Sequence, residues 1–169
     1  KREDIRKEAD KFYNEELDVD GSLFLYHDVP TNGIGYLDLM FDLKSLSPDK
    51  VPYLGLLKSV LGYVNTAHYT YGELSNEINA ETGGIVCGVE VFDRADSVDE
   101  YRAFFGVKGK VMYPKTDVMF CMIREILNTS DVTDTRRLHE IISRVKSRAQ
   151  SSLVSAGHST AVLRAASYG

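Results

Sequence analysis

The sequence predicts an α+β fold, a mostly antiparallel sheet with helices packed on one face. Three observations carry this expectation. Residues 34–43 alternate strictly, with Leu37, Leu39, Phe41 and Leu43 on one face and Tyr36, Asp38 and Asp42 on the other, the pattern of a half-buried strand. Two helix signatures follow in succession. A second alternating run, Ile85, Cys87, Val89 and Val91, then returns as a strand. Hairpin-joined strands and paired helices make the order β-β-α-α-β-β-α-α, with a further helical piece at the end.

In chain order, residues 1–17 are dense in charge, with Ile5, Ala9, Phe12 and Tyr13 on one stripe. They read as the end of a charged helical linker, followed by a single α+β domain over 18–169. Asp18-Val19-Asp20-Gly21 is a turn and Leu23–Tyr26 a short strand. His27–Gly33 leads into the strand at 34–43, with Asn32-Gly33 as hairpin chemistry. Ser47-Pro48 places a cap and a first-turn proline ahead of Leu54, Leu57, Leu61 and Val64 at helical spacing. Thr70-Tyr71-Gly72-Glu73 has capping-box spacing and predicts a helix from Tyr71 to about Ala80, stopped by Thr82-Gly83-Gly84.

Asp93–Asp99 is a polar turn. Residues 101–113 form a long strand, with Ala103, Phe105, Val107 and Val111 on one face and Arg102, Lys108 and Lys110 on the other. Pro114-Lys115-Thr116 opens a third helix carrying Val118, Met119, Met122, Ile123, Ile126 and Leu127. A fourth carries Leu138, Ile141, Ile142, Val145 and Ala149, and Gly157 separates it from a last piece at 158–168. The chain opens at Lys1 without a methionine and stops inside a helical run, so it reads as a piece cut from something longer.

With 169 residues, 43% hydrophobic and 27% charged, the chain can bury a core of its own. A net charge of −5 argues against nucleic acid or an anionic membrane as partner, and no apolar run is long enough to cross a bilayer. The two cysteines, Cys87 and Cys121, fall on apolar faces and read as buried thiols rather than a disulfide or a metal pair, which leans towards a cytoplasmic or organelle interior.

The residues alone reveal no catalytic, cofactor-binding or metal site. His27, His68, His139 and His158 have no second histidine or cysteine at ligand spacing, and H-x-x-E-H, H-E-x-x-H, C-x-x-C and a P-loop are all missing. Ser155 and His158 make no triad by adjacency, and Gly83-Gly84 is a helix stop rather than a phosphate cradle. Cys87 on a strand face lacks the exposed setting of a nucleophile. The cluster Arg136, Arg137, Arg144, Lys146 and Arg148 is the one basic concentration. It has no interleaved stacking aromatics and reads as a solvated helix face.

Several stretches together resemble the insulinase/pitrilysin-type zinc metallopeptidases of the presequence-protease branch. They are Pro30-Thr31-Asn32-Gly33-Ile34, Val51-Pro52-Tyr53-Leu54-Gly55-Leu56-Leu57, and residues 77–85 (Glu-Ile-Asn-Ala-Glu-Thr-Gly-Gly-Ile). Ser155-Ala156-Gly157-His158 and residues 163–168 (Leu-Arg-Ala-Ala-Ser-Tyr) are similar further on. The resemblance implies four related α+β domains in two halves joined by a charged helical linker, closing on an unstructured peptide. Zinc and the catalytic H-x-x-E-H would lie in the first domain. This chain would be the linker's end and most of the third domain.

The departure is in the first central helix, which reads Leu54-Gly55-Leu56-Leu57-Lys58-Ser59-Val60 where the catalytic domain would carry its ligands. A zinc hydrolase needs imidazoles, a carboxylate and a base beside bound water, and this helix supplies none. The expectation is a non-catalytic domain of a peptide-degrading zinc metalloendopeptidase. It would form part of the substrate chamber, with the peptide and the parent's other domains as partners and zinc held outside this segment. The rival is a stand-alone, inactive interaction subunit of the same fold. An independent enzyme using Cys87 or His68 is disfavoured.

Overall fold

A computed structural model of the chain describes residues 13–167 except 95, 96, 98 and 99. The chain divides into two compact units, Lys1–Ile34 and Gly35–Gly169.

In the first unit, β1 (Tyr13–Val19) and β2 (Ser22–Asp28) form an antiparallel pair, in register from Tyr13↔Asp28 to Val19↔Ser22. The turn between them places Asp20 at φ 52° and Gly21 at φ 79°, the left-handed pair that a two-residue hairpin requires, and Asp18 Oδ1 accepts from the Gly21 N–H at 3.0 Å. Of the helix expected over 1–17, residues 1–12 lie outside the described set, and Tyr13–Leu17 is strand instead. Tyr13, Glu15, Leu17 and Val19 alternate, and the Asp20-Gly21 turn folds that alternation onto β2. The Asn32-Gly33 turn also forms, with φ 52° and 84° and the Ile34 N–H donating to the Thr31 carbonyl at 3.2 Å. It does not join a hairpin, because β2 pairs with β1 and Pro30 ahead of the turn has no N–H to extend a ladder.

In the second unit, β3 (Ile34–Asp42), β4 (Ile85–Asp93) and β5 (Tyr101–Met112) form a sheet in the order β3-β5-β4. β4 and β5 are antiparallel, in register from Ile85↔Gly109 to Asp93↔Tyr101. β3 also runs against β5: the Leu43 N–H donates to Ala103 at one end, and Gly35 lies beside Tyr113 at the other. The last strand in chain order is thus the central one, and the helical crossover from β3 to β4 leaves room for it. The turn expected over 93–99 falls partly on residues outside the described set.

The crossover is α1 (Val51–Val60) and α2 (Tyr71–Glu81). A 3₁₀ turn at Pro48–Lys50 precedes α1, and the Ser47 hydroxyl, expected as its cap, donates instead to Asp49. α1 is shorter than its apolar stripe suggests. Leu61 leaves helical geometry and Gly62 sits at φ 81°, so Leu61 and Val64 are buried from the following loop. α2 begins as expected, with the full capping box: Thr70 Oγ1 accepts from the Glu73 N–H at 3.3 Å, and Glu73 Oε2 accepts from the Thr70 N–H at 2.9 Å.

Beyond β5 come α3 (Thr116–Thr129), α4 (Thr135–Ser155) and α5 (Gly157–Ala166). Ala156, not Gly157, is the break before α5, whose first residue is Gly157. Of the expected α4 stripe only Ile141 is fully buried, and Ile142 is exposed.

The main core joins Phe105, Val107 and Val111 of β5 to Leu74 and Ile78 of α2 and to Met119, Met122, Ile123 and Ile126 of α3. A smaller cluster joins Val60, Val64 and Ile141 between α1 and α4. Cys121, expected to be buried, is exposed. The buried positions of α3 are 119, 122, 123 and 126, and residue 121 falls off that arc.

Candidate functional surface

The helix that would carry zinc ligands in a catalytic relative is α1, and its side chains are aliphatic, aromatic, lysine and serine. His68 lies in the loop after it. Its Nδ1 is 3.0 and 3.1 Å from the two carboxylate oxygens of Glu125 on α3, and its backbone N–H donates to Glu125 Oε1 at 3.0 Å. Burial works against the Glu125 charge. Hydrogen bonds from Thr66, from the His68 ring and backbone, and from Thr129 outweigh it and bring the carboxyl down to about 2. Thr129 Oγ1 also accepts from the Ala67 N–H at 3.3 Å, so this cluster holds the α1–α2 loop against α3.

His27 Nδ1 lies 2.5 Å from Asn14 Oδ1 across the first hairpin, and His139 and His158 are exposed on α4 and α5. Among the described residues no group of three or more His, Cys, Asp or Glu side chains converges. The donor set does not fit a zinc site: His68 meets one carboxylate that is already committed to backbone and hydroxyl donors.

The sheet face turned away from the helices carries an organised set of charges. Lys108, on the central strand, reaches Glu90 of β4 at 2.6 Å and Asp38 of β3 at 3.4 Å. The hydrogen bond to Glu90, joined by the charge of Asp38, pushes the Lys108 ammonium above its ordinary range against the opposing effect of burial. Further along the face, Arg102 approaches Asp42 at 3.7 Å and lies 6.0 Å from the centre of the Phe104 ring. Phe104 meets Phe92 edge-on, also at 6.0 Å. Between the charged row and the aromatic pair, Gly88 and Gly106 stand opposite each other and leave a stretch of bare backbone. Tyr36, Met40, Val86 and Met112 add exposed apolar surface to the same face. The strand alternation assigned Asp38, Asp42, Arg102 and Lys108 to this side. Their partnerships depend on the strand order, for which the sequence holds no local signal.

Cys87 is half-buried on β4, and burial pushes its thiol up, the opposite of an activated nucleophile. The basic cluster on α4 separates into parts. Arg136 and Arg137 pair with Glu140 at 3.7 and 3.2 Å. Arg137 is not part of a solvated face as expected: its Nε donates to the Tyr63 carbonyl at 2.9 Å and its guanidinium stacks 3.8 Å from the centre of the Tyr71 ring. Arg144 and Arg148 line a groove with Lys58.

No helix among the described residues is long and apolar enough to cross a membrane. A family model described as associated with peptidases of the M16 class, subfamily C, matches residues 1–169. Protein HypA of Clostridium perfringens is 37% identical over 166 residues, covering 98% of this chain and 17% of that protein. The mitochondrial presequence protease of Yarrowia lipolytica is 31% identical over 138 residues, covering 82% of this chain and 14% of the protease. Presequence protease 1 of Arabidopsis thaliana, chloroplastic/mitochondrial by name, is 31% identical over 164 residues, 95% of this chain and 15% of the relative. The chain thus spans about a sixth of the length of these relatives.

Proposed function

The chain belongs to this peptidase-associated family, of insulinase and presequence-protease type, and from that premise we propose that it is a non-catalytic domain of a zinc-dependent metalloendopeptidase, forming part of the chamber that holds an unstructured peptide. The observation that carries this reading is the family match along the whole chain, combined with a first central helix that has no metal ligand or general base. Zinc belongs to the parent's catalytic domain, and the residues of this chain take no step in hydrolysis.

The open face of the β3-β5-β4 sheet is the peptide-facing surface. Its Lys108 row, its Phe92–Phe104 pair and the bare Gly88–Gly106 backbone suit an extended chain that needs polar, aromatic and close-approach contacts without a deep pocket. The parent's other domains are partners as well. The β1–β2 pair shows Leu17, Val19, Phe24 and Tyr26 on one exposed face, and a two-stranded ribbon is marginal by itself. The compartment follows the parent; the relatives' names place them in mitochondria and chloroplasts, and two unpaired thiols suit a reducing interior.

The test is peptide cleavage by the protein in which this chain occurs. We expect chelator-sensitive hydrolysis of an unstructured peptide, and a Lys108→Glu variant that raises KM severalfold while kcat holds. A parent that binds no zinc and cleaves no peptide would overturn the reading in favour of an inactive interaction subunit. An unchanged KM would remove the open face from the peptide path.

A further inference from the structure

The groove between α1 and α4 combines features that neither a core nor a solvated helix face explains. Lys58 and Ser59 come from α1 and Tyr63 from the loop behind it, while Arg144 and Arg148 come from α4. Ile141, Val145 and the half-buried Cys87 complete the lining. Its volume is about 260 Å³, just below the range of small-molecule sites.

Arg144 and Arg148 are four residues apart and so share one helix face, where like charges repel. Lys58 adds a third cation from the opposite wall, and among the described residues none of the three has a carboxylate within ion-pair distance. The contrast with the start of the same helix is sharp, since Arg136 and Arg137 both reach Glu140. Glu140 is also the last acidic side chain in the sequence: residues 141–169 carry Arg144, Lys146, Arg148 and Arg164 and no Asp or Glu. In a chain of net charge −5, three converging cations lack any internal counter-charge.

We propose that this groove binds a compact phosphate-bearing small molecule. Two guanidinium groups offer the planar fork that fits phosphate oxygens, the lysine adds a point charge, and the Ser59 and Tyr63 hydroxyls supply further donors. The small volume favours one or two phosphate groups over a dinucleotide. This site is separate from the open sheet face and does not depend on the peptidase reading.

The probe is inorganic pyrophosphate, titrated calorimetrically into the chain or the longer protein that carries it, at low and at physiological salt. We expect saturable binding that R144Q or R148Q each weaken roughly tenfold, the loss of one charge-assisted contact. K146Q, on the same helix but outside the groove lining, should leave binding unchanged. Glutamine keeps good helix propensity, so these variants should fold. A second readout locates the ligand: in a C121S background, bound pyrophosphate should slow alkylation of Cys87 on the groove floor. Absence of saturable binding overturns the proposal, as does equal weakening by K146Q. Tighter binding of a tetraglutamate peptide with the same dependence on Arg144 and Arg148 would assign the groove to an acidic peptide and overturn the phosphate assignment.

Discussion

The Glu125 carboxylate accepts from the His68 backbone N–H at 3.0 Å while its two oxygens face the His68 ring nitrogen at 3.1 and 3.0 Å. This one side chain of α3 holds the loop that joins α1 to α2. Its carboxyl is brought from the ordinary 4.5 down to about 2, since the hydrogen bonds to the anion prevail over burial. A depressed carboxyl contributes stability that is complete above the unfolded value and lost as pH falls through the folded one. Glu125→Gln should therefore lower Tm at neutral pH, and the difference from the unsubstituted chain should shrink between pH 4.5 and about 2. Thermal melts across that range check it. A difference that is constant with pH would mean that the charge of Glu125 contributes nothing.

The reciprocal bonds of Thr70 and Glu73 satisfy two of the free backbone donors at the start of α2. Thr70→Ala removes the hydroxyl acceptor and should cost about 1 kcal/mol in urea unfolding. Thr70→Ser should restore most of it, because the serine hydroxyl can accept the same Glu73 N–H.

What the sequence made legible follows from how local each signal is. Thr70 through Glu73 encode a cap within four residues, and the structure has it. The alternation in 101–113 sorted Phe105, Val107 and Val111 from Lys108 correctly, since strand faces depend only on parity. Tyr13–Leu17 was misread because a few apolar residues fit both a helical stripe and an alternating strand, and only the Asp20-Gly21 turn decides between them. The exposure of Cys121 depends on which arc of α3 meets β5. The Lys108–Glu90 pair depends on β5 lying between β3 and β4. The three-cation groove was invisible for the same reason, since Lys58 and Arg144 are far apart in sequence and meet through packing of α1 on α4.

The two thiols should react very differently. Cys121 is exposed on α3, whereas Cys87 is half-buried with its thiol pushed up by burial. At mildly alkaline pH, iodoacetamide should modify Cys121 faster, on the order of tenfold, because both access and thiolate fraction favour it. Mass spectrometry of timed digests measures the two rates separately. Equal rates would mean that the groove above Cys87 opens freely to solvent.

Gly109 marks the closest approach of α3 to the sheet. A methyl group there would lie 2.7 Å from Met119 Sδ and 3.4 Å from its Cγ, with Ile123 Cδ1 at 3.8 Å. Met119 is flexible, but it is only 2% exposed and has no empty space to move into without displacing other core side chains. Gly109→Ala should thus destabilise by about 1–3 kcal/mol, the usual cost of overpacking. Met119→Ala should itself cost about 2–5 kcal/mol through the cavity it leaves. Because the added methyl enters the space that the methionine vacates, the double variant should be more stable than the sum of the two losses predicts. Strict additivity in denaturant unfolding would show that the two residues do not share that space, and the packing of α3 on β5 would need another explanation.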